Sequence, residues 1–108
     1  MPVASPGTQP VAGAARPRHV PLYNVVLLDD DDHTYEYVVE MLMRLFHFTR
    51  ESAYRTAVEV DTQGRAIVAT TLLERAELMR DQIHAFGADW RLERSAGSMT
   101  AVLEKVAG

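Results

Sequence analysis

The sequence of 108 residues contains no cysteine, so disulfides and thiolate metal sites are excluded. No apolar run approaches the roughly 20 residues that a membrane-spanning helix needs. Arg16 and Arg18 stand near the N-terminus without the apolar stretch of a secretory signal beside them. The expectation is a soluble, cytoplasmic protein that meets no membrane. Glycine-rich phosphate loops, a nucleophile elbow and paired-histidine metal motifs are also missing, so no cofactor is expected. Acid is absent from residues 1–28, whereas the rest of the chain holds all fifteen acids against nine bases. An acidic body is a poor partner for nucleic-acid phosphates. It suits cationic ligands, such as an α-amino group, or basic partner surfaces.

What is present fits one domain with a core, since 47% of the residues are hydrophobic. Residues 1–18, rich in Pro, Ala and Gly, are expected to form a flexible tail, and residues 19–108 the folded domain. Tyr23–Leu28 is short, β-branched and apolar, as a buried strand is, and Asp29–His33 ends it. Tyr35, Val38, Val39, Leu42, Leu45 and Phe46 recur at helical spacing, with Glu36, Glu40 and Arg44 opposite. Thr49 is a candidate N-cap for a second helix, with Ala53, Ala57 and Val60 inward, Tyr54 and Val58 beside them, and Gly64 at its end. Ala66–Thr70 is a second candidate strand. Thr71–Glu74 fits a capping box opening a third helix to about Phe86, with Leu72, Ala76, Met79, Ile83 and Phe86 on one face and Gly87 as C-cap. Residues 87–97 form a polar loop and Met99–Glu104 a last strand. The order β-α-α-β-α-β points to an α+β open-faced sandwich, a three-stranded antiparallel sheet with helices on one face.

Four segments in this order resemble the ClpS family of Clp protease adaptors. They are Tyr23–Leu28 with Asp29-Asp30-Asp31, Glu36-Tyr37-Val38-Val39 with Leu42–Phe46, Gln63-Gly64-Arg65-Ala66-Ile67, and Leu103-Glu104-Lys105. The resemblance covers residues 22–105. It implies a non-enzymatic adaptor that binds a bulky hydrophobic N-terminal residue of a client (an N-degron) and delivers the client to a Clp AAA+ protease. It also implies docking on the N-terminal domain of the Clp unfoldase. A monomer is assumed. The family's α-amino-gripping positions, an Asn, an Asp and a His, match Asp29, Asp30 and Asp61. Its side-chain pocket positions match Tyr35, Val38, Ala57, Val60 and Met99. Its unfoldase-docking Glu matches Glu74, while its docking Lys matches Met79, with Arg80 adjacent.

Each of these residues also has a plainer reading. Asp29–Asp32 can be a strand-ending turn that favours the positive end of the following helix. With His33 and Asp61 they offer hard oxygen ligands to a divalent cation, the basis of an alternative reading as a metal-dependent enzyme. EF-hand spacing is absent. Asp61 can simply bond to the amides of Gln63 or Gly64, and the apolar five can be plain core. His47 and His84 read as surface or helix-end residues, and Trp90 as an anchor for its loop. Because the departures from the family pattern fall on the pocket, a paralogue that binds a different peptide or partner is the main competing reading.

Overall fold

The computed structural model describes residues 20–107, so the tail expected over residues 1–18 lies outside the described residues. The element order is β1 (Leu22–Leu28), α1 (Tyr35–Phe46), α2 (Arg50–Gln63), β2 (Arg65–Leu72), α3 (Leu73–His84) and β3 (Ala101–Lys105). β1 is the central strand, antiparallel to β2 on one side and β3 on the other. Val25 and Leu27 point from β1 into the core. α3 packs across all three strands, α1 packs on α2 and on α3, and α2 packs on β2. The β1–β2 register shifts between Val25 and Val26, whose partners are Ala69 and Ile67. Val68 is therefore the extra residue of a bulge in β2, and it is buried in the core with Ala66.

The helix ends follow from local chemistry. Thr34 caps α1, its hydroxyl accepting from the Tyr37 N–H at 3.1 Å. His47 closes α1 in the left-handed region at φ 60°. Thr49 caps α2, accepting from Ser52 N–H at 3.1 Å. Gly64 ends α2 at φ 85°, a conformation that suits a residue without a Cβ.

Four expectations are corrected. The capping box at Thr71–Glu74 is not formed, because β2 continues to Leu72 and pairs Thr71 with Tyr23, and α3 starts with no side-chain cap. Leu72 is accordingly an exposed strand residue. α3 stops at His84, with Ala85 rather than Gly87 as its C-cap. β3 begins at Ala101, so Met99 is a buried residue of the preceding loop. On α1 the buried face includes Tyr37 and Met41, whereas Tyr35, Leu45 and Phe46 are half-buried at its margin. The inward turn of Tyr37 is possible because its hydroxyl donates to the Gly87 carbonyl and its ring packs edge-on against Phe86 at 5.4 Å.

Candidate functional site

β1 delivers the acidic turn to one end of the sheet, where the Asp29 N–H donates to the Gly64 carbonyl at 3.0 Å. Since Asp61 lies in the last turn of α2, this bond brings Asp29 and Asp61 into one neighbourhood. Both side chains are exposed. Partial burial raises the pKa of Asp29, and the charges of Asp61, Asp30 and Asp31 push the same way against the Asp30 amide, which lowers it. The Asp61 carboxylate accepts the Tyr35 hydroxyl. That bond to a carboxylate, with desolvation, pushes the phenol up to about 12. Asp61 is therefore bonded to α1 rather than to the Gln63 or Gly64 amides, and the Gly64 N–H goes to Val60 O.

Asp30 has different partners. Its Oδ1 accepts from the Asp32 N–H at 2.9 Å, and both its oxygens meet His33 Nδ1, at 2.8 and 3.0 Å. His33 Nε2 lies 2.7 Å from the Gly97 carbonyl, and the His33 side chain is only 3% exposed. His33 thus pins the turn to the loop between α3 and β3. That partnership was not legible in the sequence. A single His beside acids carries no information about a carbonyl 64 residues away.

The same loop holds the turn at two further points. Asp89, the one polar or charged residue buried at 0% exposure among the described residues, accepts from Thr34 N–H and Oγ1 at 2.7 and 2.8 Å. It also accepts from the Arg91 N–H and guanidinium at 3.0 and 3.1 Å. Burial alone would raise its pKa, but these four donors outweigh burial and hold it down to about 2. Arg94 Nε donates to the Asp31 carbonyl at 2.8 Å. Trp90, expected to anchor the loop, is instead 81% exposed, with the Arg91 guanidinium stacked 4.7 Å from its ring centroid. Asp89 and His33 do the anchoring, which hydrogen bonding accomplishes without an aromatic side chain.

Of the apolar five, Val38, Ala57, Val60 and Met99 are each no more than 5% exposed. Tyr35 is half-buried and packs on the core cluster that contains them. Glu74 is exposed at the start of α3, and Arg80 is half-buried with its Nε donating to Asp81 at 3.1 Å. Six residues apart, these two point about 120° away from each other around the helix. Among the described residues no three His, Asp or Glu side chains are arranged to hold a metal ion, and no helix is long and apolar enough to cross a membrane.

Comparison with known proteins bears on the family and the fold. Residues 18–90 match the family model described as ATP-dependent Clp protease adaptor protein ClpS. The ATP-dependent Clp protease adapter protein ClpS of Nautilia profundicola is 36% identical over 86 residues, which are 79% of this chain and 82% of that protein. The fold matches Agrobacterium tumefaciens ClpS2, solved bound to L-phenylalaninamide, with a TM-score of 0.71 at 22% identity over 82% of this chain and all of that one. A matching sequence over most of its length and a matching fold lead to one conclusion: the chain belongs to the ClpS family of ATP-dependent Clp protease adaptor proteins.

Proposed function

We propose that this adaptor binds the free N-terminal residue of a client protein at the Asp29–Asp61 site and delivers the client to a Clp AAA+ protease. The observation that carries the reading is the pairing of two exposed carboxylates with an apolar wall. Asp29 and Asp61 share one end of the sheet, beside Tyr35 and the core residues it packs on. An α-ammonium group is cationic below its pKa of about 7.7–8.0, and charge-assisted bonds to carboxylates distinguish it from an ordinary amide. Asp29 and Asp61 meet the ammonium. Asp30, whose oxygens hold His33 and the Asp32 amide, sets the geometry of the turn. The client's first side chain is bulky and hydrophobic. It enters past Tyr35, the half-buried member of the wall, toward Val38, Ala57, Val60 and Met99. Release of the Tyr35 hydroxyl frees Asp61 for the ammonium in the same motion.

Delivery is proposed to use docking on the N-terminal domain of the unfoldase through Glu74 and Arg80. The family membership supports it. An array of peptides with every first residue, each with a free or an acetylated N-terminus, tests the binding step. Selective binding of free Leu, Phe, Tyr or Trp N-termini is expected. Equal binding of free and acetylated peptides would refute the α-amino grip, and indifference to the first residue would favour a paralogue that binds something else.

A further inference from the structure

A groove of about 940 Å³ runs along the outer face of the α1–α2 pair. Val39, Met43 and Tyr54 form its apolar surface. The groove opens at the proposed α-amino site because Tyr35 belongs to both. Its hydroxyl holds Asp61, and its ring lies edge-on to Tyr54 at 5.8 Å. Most of the charges on the rim are already paired. Glu40 accepts from Arg44 at 3.2 Å and from Arg91 at 3.2 Å, and Glu51 lies 3.7 Å from Arg55. Among the described residues two rim charges, Glu36 and Arg50, form no ion pair. They lie at opposite ends. Glu36 adjoins Tyr35 at the α-amino end, and Arg50 opens α2 at the other.

We infer that this groove is a second subsite, which takes the client's residues after the first in extended form and favours acid at about the fifth and sixth. The inference rests on the proposed N-terminal grip and adds to it the sequence class of the bound segment. Asp61 and Arg50 are eleven residues apart on α2, about 16 Å along the axis. An extended chain advances ~3.3 Å per residue, so residues four to six of the client come within reach of the long Arg50 side chain. The apolar floor meets the residues before them, and Met43 adapts to side chains of different shape. The direction is fixed by charge, with the client's ammonium at the acidic end and its acidic residues at the basic end. Long-range attraction works against this preference, because the body of the protein is acidic and would draw a basic peptide. A preference for acid at these positions therefore has to come from Arg50.

The test compares Phe-Ala-Leu-Ala-Glu-Glu with Phe-Ala-Leu-Ala-Lys-Lys, both C-terminally amidated, by calorimetry or fluorescence anisotropy at low salt. Each is also measured with its N-terminus acetylated. The Glu peptide is expected to bind about threefold tighter, the scale of an exposed ion pair or two. Arg50→Glu should invert the order, and Arg50→Ala should abolish the difference. Arg50 is exposed in the first turn of α2, where a Glu suits the helix dipole, and thermal melting checks that both variants fold. If free peptides bind and acetylated ones do not, but the Lys peptide binds as well or better, or Arg50→Glu leaves the order unchanged, the subsite is wrong and the N-terminal grip stands. If neither free peptide binds, or acetylation changes nothing, both fall.

Discussion

Asp89 and Asp29 are carboxylates at the same end of the molecule with opposite fates. Asp89 is wholly buried and accepts four hydrogen bonds, and its pKa is held down to about 2. Asp29 is exposed, has like charges for neighbours, and has its pKa raised. The difference teaches how the protein divides its acid. One carboxylate is committed to the fold, with every donor aimed at it in place. The other is left charged and crowded, a state that a cation relieves. Asp30 stands between them, bonded to His33 but only part-buried.

Removing the committed carboxylate should have the largest effect. Asp89→Ala strands the Thr34 and Arg91 donors and should cost about 3 kcal/mol, a fall in Tm of roughly 15 °C for a domain of this size. Its folded pKa of about 2 lies below the ordinary carboxylate value near 3.9. The Asp89 contribution is thus fully present above about pH 4 and is lost as pH falls toward 2. Melting curves across that window should show the loss in the native chain and not in Asp89→Asn. If acid destabilises both equally, Asp89 is not the group responsible.

The open pair should behave in the reverse way. Asp29→Asn and Asp61→Asn are each expected to weaken binding of a peptide with a free N-terminus by about 1.5–3 kcal/mol, while Tm holds or rises because like charges are relieved. A Tm loss matching that of Asp89→Ala would erase the comparison. His33→Gln should fall between, losing about 1–2 kcal/mol of stability together with some affinity, since the Gln side chain cannot reach both Asp30 and Gly97. Unchanged stability would show that the clasp carries no weight. The smallest effect belongs to Trp90→Ala, with stability expected within about 0.5 kcal/mol of the native chain, as for a surface change. A larger drop would restore the anchoring role that its exposure argues against.

The element order was legible because apolar periodicity and the caps at Thr49 and Gly64 are local signals. The end of β2 was misread because Thr71 suits either a cap or a strand, and only its pairing with Tyr23 decides between them. The burial of Tyr37 was missed because a phenol hydroxyl gives no sign in sequence that the Gly87 carbonyl, fifty residues away, accepts its proton. For the candidate site, the acids themselves could be singled out, but not their roles. Asp29, Asp30 and Asp61 look alike in a string of letters.

The sequence by itself determined the family, the order of the elements and the acidic character of the turn. Each of these follows from residue type and short-range spacing. The tertiary structure decided which carboxylates are spent and which are open. Burial and the donors arriving from Thr34, Arg91, His33 and Tyr35 set the state of each acid, and the Thr34–Asp89 and Tyr35–Asp61 contacts join residues 55 and 26 positions apart.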